Sequence, residues 1–327
     1  MPTRPVGPRV TARPPPSAAP GDPSSVRFTL RQLESFALVL QTGSVSEAAR
    51  RLSRTQSAIS MSLKDLENAL GTPLFERRGR RLVRTDAAER LLPRALELVD
   101  RANDMNALVG THQTGAGQIA LGASRTVGPF VMPGLLAACQ ASHPAVSVQL
   151  VVANSEDLMR QLREFHLDCA FVEGDVSDSS LDREAWLQDR LCVVARSGHP
   201  IFRSRRGQTE QRLADYGWTL RERGSGTREI FLRAIHPIIG APRIAIELNE
   251  PETQKRLVRQ TDLLSCISHR AIGQPGIADG LREVTDLSAG LRAALTRRFW
   301  IVRHPQRFQS EALRAVVDEA HRMNSPS

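Results

Sequence analysis

The chain is short of the features that mark most other protein classes. Its 327 residues hold only four cysteines, Cys139, Cys169, Cys192 and Cys266, too scattered for a disulfide framework or a clustered metal site. They are expected to be reduced, buried thiols of a cytosolic protein. No apolar run approaches the roughly 18 residues a membrane span requires, so no membrane partner is expected. The first 23 residues hold eight prolines with Arg4, Arg9 and Arg13 and no apolar centre, which does not make a secretory signal. Residues 1–27 are read as a disordered tail or the product of an upstream start site. A Walker-type phosphate loop, a Gly-x-Ser-x-Gly elbow and a His-Glu-x-x-His pair are all absent, so no catalytic residue, metal or cofactor is expected. The nearest chemical cluster, His166-Leu167-Asp168-Cys169, reads as a helix–strand junction whose alternating side chains face different surroundings.

What is present is basic charge, unevenly placed. The net charge is +9, and residues 1–110 carry 17 Lys+Arg against 11 Asp+Glu, whereas residues 111–327 carry 27 against 24. A basic front half favours a polyanionic partner. In that half, Leu30, Leu33, Phe36, Ala37 and Leu40 fall on one helical face that Gly43 ends. Ser44-Val45-Ser46-Glu47 has the spacing of a capping box and opens a second helix. Thr55 caps a third, which buries Ile59, Leu63, Leu66 and Leu70 and stops at Gly71. Three short helices with a tight turn between the last two make a helix-turn-helix.

The third helix leaves Thr55, Gln56, Ser57, Ser60 and Lys64 free to meet double-stranded DNA. Gln can pair bidentately with an adenine edge, and a recognition helix reads bases with its N-terminal turns. A run of five arginines without an acid, Arg77-Arg78-Gly79-Arg80-Arg81-Leu82-Val83-Arg84, crosses an expected β-hairpin and reads as a wing gripping phosphates. From Thr85 onward, Leu91, Ala95, Leu98, Ala102 and Met105, with Leu92 and Val99, form a heptad seam on a helix that Pro93 is expected to kink. The seam predicts a dimerising linker.

These residues resemble the LysR-type transcriptional regulators. The resemblance runs through Ser44-Val45-Ser46-Glu47-Ala48-Ala49-Arg50-Arg51-Leu52, Gln56-Ser57-Ala58-Ile59-Ser60 and Gly71-Thr72-Pro73-Leu74-Phe75-Glu76-Arg77. It implies DNA contacts at Gln56, Ser57, Ser60 and Arg77 or Arg78, to which Ser44, Ser46, Thr55, Lys64, Arg80 and Arg81 are added as neighbours on the same surface. Met61 stands where many members carry arginine or another polar residue, and Arg84 and Ala88 replace the usual leucine and glycine.

From Gly117 the pattern changes to short apolar strands alternating with helices: Ile119 to Gly122, Phe130 to Cys139, Val146 to Val152, Leu158 to Phe165, Asp168 to Val172. Such alternation implies α/β lobes with parallel sheets, in which ligands bind beyond the carboxyl ends of strands. Two donor-rich loops then stand out. Ser124-Arg125-Thr126 carries hydroxyls and a full charge, and Gly224-Ser225-Gly226-Thr227-Arg228 has the make-up of an anion nest. Arg221 to Arg228, Leu121 to Ser124 and Phe171 to Gly174 are similar to LysR-type members that govern sulfur assimilation and carbon fixation. That likeness implies an effector set of Ser124, Thr126, Asn154, Ser225 and Thr227; Arg125 is added on physical grounds, and Glu173, at the end of the Asp168 to Val172 strand, is counted with them. Asp262, in Arg259-Gln260-Thr261-Asp262-Leu263, is placed near the crevice, where its charge opposes an anion.

The expected architecture is α/β overall: a winged helix-turn-helix over residues 28–85, a linker helix over 86–110, and a two-lobed, periplasmic-binding-protein-like (type 2) effector domain over 115–323. Lobe I takes residues 115–190 and 291–323, and lobe II takes 191–290. The expected function is a cytoplasmic, sequence-specific, homodimeric or homotetrameric DNA-binding regulator. Its effector is expected to be a small anion such as a sulfur oxyanion or a phosphorylated or carboxylate metabolite. A secreted solute-binding protein would share the lobes but not the basic winged helix, and an enzyme lacks its motif.

Overall fold

A computed structural model describes residues 26–78, 81–109, 117–174, 178–205, 207–272 and 280–324. Most of the proline-rich segment, Gly79 and Arg80 lie outside the described residues, as do the side chains of Arg77, Arg78 and Arg81.

The first three helices are α1 (Leu30–Thr42), α2 (Val45–Arg51) and α3 (Gln56–Leu70). Their ends follow the residue types at the boundaries. The Thr29, Ser44 and Thr55 side chains each accept a backbone N–H three residues on, and Gly43 and Gly71 turn left-handed at φ 64° and 67° to close α1 and α3. The capping box is complete at Thr29–Gln32. At Ser44–Glu47 only half of it forms. The Glu47 carboxylate goes to Arg50 and Arg51 at 2.6 and 2.9 Å instead, and hydrogen bonds from these two arginines hold its carboxyl down to about 2. The exposed guanidiniums compete successfully for it.

The hairpin is β1 (Phe75–Arg78) and β2 (Arg81–Arg84), antiparallel, with Arg78 opposite Arg81 and Phe75 opposite Arg84. The linker helix α4 (Asp86–Val109) continues through Pro93. Its apolar seam divides in two. Ala88, Leu92, Ala95 and Leu96 are buried in the core that Leu33, Phe36, Ile59 and Leu66 build, with Leu91 and Val99 packed against it. That half serves its own domain. Leu98 and Met105 are left 43% and 65% exposed.

The remaining elements are β3 (Gly117–Ser124), α5 (Val127–Phe130), α6 (Met132–Ser142), β4 (Val146–Ala153), α7 (Ser155–Arg163), β5 (Cys169–Glu173), β6 (Asp182–Arg196), α8 (Thr209–Arg212), β7 (Trp218–Arg221), α9 (Gly226–Ile239), β8 (Ile244–Leu248), α10 (Pro251–Gln260), β9 (Leu264–Ser268), β10 (Leu281–Glu283), α11 (Ala289–Ala294), β11 (Thr296–Arg303) and α12 (Glu311–Arg322). The strands run in the order β4-β3-β5-β11-β6-β9-β7-β8, with β10 also on β6. The pairs β3–β4, β3–β5, β7–β8 and β7–β9 are parallel, as strand–helix alternation predicts. Every pairing of β6 and β11 is antiparallel, so each lobe's sheet is mixed.

The two lobes share one long strand. Asp182 to Arg190 of β6 pair with β11, and Leu191 to Val194 pair with β9. The expected division between 190 and 191 therefore falls inside a continuous strand. The return to lobe I also comes later than Leu291. Leu291 and Leu295 are buried with Leu191, Val193, Trp218 and Phe231 in the lobe II core, and the crossing is made by β11. Lobe I buries Leu121, Phe171, Trp186, Phe299 and Val316 on one face of its sheet and Leu158, Leu162, Val172 and Val302 on the other. All four cysteines are buried and free. Burial pushes the Cys139 thiol up to about 11 and that of Cys169 to about 12, which keeps them protonated and inert.

Candidate effector crevice and DNA-reading surface

The carboxyl ends of four parallel strands meet between the lobes. β3 ends at Ser124, β5 at Glu173, β7 at Arg221 and β9 at Ser268, and all four residues are buried. This is where an open α/β sheet presents its binding site. At the centre lies the chain's own Glu173 carboxylate, 2% exposed. Ser124 and Thr126 donate their hydroxyls to it, Thr126 at 3.0 Å, and Thr227 reaches it from the first turn of α9 at 3.4 Å. The Ser124 oxygen also accepts the Val127 N–H at 3.0 Å, at the start of α5.

Arg297, at the start of β11, completes the cluster. Its Nη1 donates to the Thr227 hydroxyl at 2.9 Å and lies 3.8 Å from Glu173, while its Nε donates to Asp189 at 2.7 Å. Ser268 holds the other Asp189 oxygen at 2.8 Å. Two buried carboxylates thus share one buried guanidinium. The hydroxyl of Ser225 has no partner among the described residues although it is 2% exposed, and neither has Nη2 of Arg297. A buried polar atom without a partner costs roughly 1–3 kcal/mol, so these two donors suit a ligand.

Of the residues expected at this site, Ser124, Thr126, Glu173, Ser225 and Thr227 come together. Arg125 does not offer a free charge. It is bound to Glu250 and lies 3.8 Å from Glu222, so it ties the loop after β3 to lobe II. Asn154 spends its side-chain oxygen on the Asp157 N–H at 2.8 Å as the cap of α7. Asp262 is displaced from the crevice altogether. It precedes β9, at the opposite end from Ser268, and pairs with Arg196 at 2.7 Å on the surface. The negative charges that an anion would meet are Glu173 and Asp189. Asp189 and Arg297 are the residues sequence reading missed. They lie on antiparallel strands that no loop motif marks, and only the pairing of β6 with β11 brings them to the crevice.

The crevice is nearly closed. A Cβ on Gly226 would stand 2.3 Å from the Glu173 carbonyl oxygen and 2.9 Å from the Gly174 Cα, so only glycine lets the α9 loop approach this closely. The enclosed space beside Thr126, Arg221, Gln254 and Ser268 is about 10 Å³, the size of one water. A cavity of about 290 Å³ opens at the Glu156–Gly224 mouth, lined also by Glu173, Gly174 and Gly226.

In the winged helix-turn-helix, Thr55, Gln56, Ser57, Ser60, Lys64 and Ser46 are exposed, and Ser44 is half-buried as the cap of α2. Met61, 60% exposed, lies among them. The surface is polar because α3 turns Ile59, Leu63 and Leu66 inward and leaves the intervening residues out. The hairpin backbone brings Arg77 and Arg78 against Leu82 and Arg81 at its edge.

Comparison with known proteins places these features. The bacterial regulatory helix-turn-helix model of the lysR family matches residues 30–89, and the LysR substrate binding domain model matches residues 112–324. The chain is 37% identical over 301 residues to the HTH-type transcriptional regulator YeiE of Escherichia coli, covering 92% of this chain and all of that one. In fold it is similar to full-length OxyR from Pseudomonas aeruginosa, with a TM-score of 0.70 at 18% identity over 92% of this chain and 98% of that one. It is also similar to the CcmR regulatory domain from Synechocystis in complex with 2-PG, with a TM-score of 0.57 at 23% identity over 64% of this chain and 98% of that one. No helix among the described residues is long and apolar enough to cross a membrane. A winged helix-turn-helix joined by a linker helix to a two-lobed effector domain, matched by both family models and by a full-length relative, makes this chain a LysR-family DNA-binding transcription regulator.

Proposed function

We propose that this regulator reads operator DNA in the cytoplasm as a dimer or tetramer, and that a small anion in the inter-lobe crevice modulates its DNA binding. The observation that carries the effector reading is the donor set gathered on Glu173: three hydroxyls, from Ser124, Thr126 and Thr227, and the Arg297 guanidinium. In this reading the chain's own Glu173 carboxylate occupies the place that an oxyanion's oxygens would take. An incoming sulfur oxyanion, phosphorylated metabolite or carboxylate takes over these donors as Glu173 swings out, and it supplies a partner for Ser225 and for Nη2 of Arg297. That CcmR has been seen with a small molecule supports a ligand in this domain type.

The signal has a physical route. β3 runs from Ser124 in the crevice back to Ala120, whose N–H and C=O pair with Asp168 at 2.7 and 2.8 Å, and Arg307 links Asp168 to Asp100 on the linker helix. An effector acts through it by binding one arrangement of the lobes better than the other. DNA is read by Gln56, Ser57 and Ser60, with Thr55, Lys64, Ser44 and Ser46 beside them and Arg77, Arg78, Arg80 and Arg81 on phosphates. Leu98 and Met105 form the inter-chain seam.

One observation favours a second reading. Glu173 and Asp189 face a single Arg297, so the crevice floor holds two acids to one base, and a cationic or neutral effector would be accepted without displacing Glu173. A thermal-shift and calorimetric screen of the full chain separates the two. Sulfite, sulfate, thiosulfate, phosphate, sugar phosphates and small carboxylates form one arm, and amines and neutral sugars form the other. A rise with one anion, lost in Ser124→Ala and Thr227→Ala, supports the first reading. A rise only with amines or neutral ligands overturns it and leaves the DNA-binding assignment standing.

A further inference from the structure

A second chemical cluster lies in lobe II beside the crevice, where Cys192 is buried with Val194, Ile267 and Ala271 against Phe130 and Ile272, and His269 and Glu283 are half-buried. Cys192 is on β6, His269 is in the 3-10 turn that follows β9, and Glu283 ends β10. Three neighbouring elements bring them together. Cys192 stands opposite Ile267 of β9, two residues before His269, and Glu283 stands opposite Val194 of β6, two residues after Cys192. Among the described residues these three are the group of His, Cys, Asp or Glu side chains whose ligand atoms all lie within 4.8 Å of one another.

The distances are close to the edges of a coordination polyhedron. Cys192 Sγ is 3.7 Å from His269 Nδ1, and His269 Nδ1 is 3.9 Å from the Glu283 carboxylate. With zinc–sulfur and zinc–nitrogen bonds of about 2.3 and 2.0–2.1 Å, the edges of a tetrahedral site are roughly 3.3–3.6 Å, so the two edges at His269 must shorten by roughly 0.1–0.6 Å, and the Cys192–Glu283 edge, which lies within 4.8 Å, by at most about 1.5 Å. One sulfur, one imidazole nitrogen and one carboxylate oxygen form a mixed set suited to a borderline-soft ion, and three protein ligands leave a fourth position for water. A cation already lies against two of the three. Arg190 donates through Nη2 to His269 Nδ1 at 2.9 Å and through Nη1 to Glu283. Its side chain is 39% exposed, free enough to leave for solvent when a metal competes for the same donors.

We propose that Cys192, His269 and Glu283 form a binding site for a thiophilic divalent cation of the zinc class, with the Arg190 guanidinium occupying it in the metal-free protein. The site adjoins the crevice through the backbone. Arg190 follows Asp189, which holds Arg297, and His269 follows Ser268, which holds Asp189. Metal loading releases Arg190 and thereby acts on β6, which carries Asp189, and on β9, which carries its partner Ser268.

The test uses the full-length, tag-free chain, stripped with a chelator and titrated with Co(II). One equivalent per chain is expected, with a thiolate-to-cobalt charge-transfer band and the intense visible spectrum of four-coordinate cobalt. The band should vanish in Cys192→Ser and persist in Cys139→Ser. Should Cys192→Ser fail to fold, Glu283→Gln and His269→Gln, both at partly exposed positions, carry the test, each with at least a tenfold loss of affinity. Arg190→Gln should bind Co(II) about tenfold more tightly, because the competing guanidinium is gone. Absence of a thiolate band at stoichiometric Co(II), its persistence in Cys192→Ser, or an Arg190→Gln affinity no higher than the parent's overturns the proposal.

Discussion

The side-chain amide of Gln41, on α1 of the winged helix-turn-helix, donates to the backbone carbonyl of Phe165 in lobe I at 3.0 Å. Phe165 makes that contact with a left-handed backbone at φ 58°, and its ring is buried in the DNA-binding domain's core while touching the His304 ring at 4.3 Å. Such a backbone conformation costs a bulky residue of order 1–3 kcal/mol and persists only where its surroundings impose it. The same junction holds Arg307 between Asp168 and Asp100, and the Arg101 guanidinium sits 4.6 Å from the Phe308 ring. DNA reader and effector domain are thus joined by a built contact.

Arg307→Ala removes the one guanidinium placed between Asp100 and Asp168, both mostly buried. Stranding a buried charge costs ~3–5 kcal/mol, and partial exposure of Asp100 reduces this to ~2–3. Chemical denaturation should show that destabilisation, and hydrogen exchange should show faster opening at Gln41, Phe165 and the middle of α4. Unchanged exchange there would mean that Arg307 does not hold the junction.

The Asp100 carboxyl is pushed up to about 6, chiefly by burial and further by Asp168 and Asp104, against the opposing pull of Arg307. An acid whose folded pKa exceeds its unfolded one binds more protons when folded. Its docked state is therefore favoured below pH 4 and loses stability as pH rises through the window from about 4 to about 6. Asp100→Asn should flatten the pH dependence of stability within that window, as thermal melts at successive pH values would record. A parent and variant with parallel profiles would contradict it.

Glu173→Gln keeps the size of the crevice residue and removes one of the two acids beside Arg297. Two unit charges 4 Å apart repel by roughly 4 kcal/mol at an effective dielectric of 20, so an oxyanion should bind the variant at least about tenfold more tightly. Calorimetry with the anion identified by the screen measures this. Weaker binding would show instead that Glu173 contacts the effector productively.

Replacing Arg77, Arg78, Arg80 and Arg81 with alanine should weaken binding to every DNA sequence. It should also flatten the salt dependence by about 0.9 in log–log slope for each phosphate that is no longer neutralised. Gln56→Ala should leave the slope alone and reduce discrimination at one base position by about 1–3 kcal/mol. Titrations at several salt concentrations on operator and scrambled DNA distinguish the two effects.

Leu98→Glu with Met105→Glu places charges on the two exposed apolar positions of α4. Sedimentation should show a shift toward monomer while circular dichroism stays unchanged, since neither side chain belongs to the domain core. A dimer of undiminished stability would assign the inter-chain seam elsewhere.

Local sequence determined the winged helix-turn-helix almost residue by residue, because caps, glycine stops and the 3.6-residue period act within one or two turns: Thr29, Thr55, Gly43, Gly71 and the Ile59–Leu63–Leu66 stripe each sit where their chemistry requires. The donor loops at Ser124 and Gly224 were legible for the same reason, each being a strand's carboxyl end followed by a helix start. What the tertiary structure alone decided depends on pairing between distant segments. It put Arg297 on Asp189, brought Cys192 to His269 and Glu283, spent Arg125 on Glu250, and set Asp262 at the far end of its strand. It also divided the linker's apolar seam between the domain core and the exposed Leu98 and Met105. Antiparallel strands such as β6 and β11 bring together residues more than a hundred positions apart, and no local period records which of them will meet.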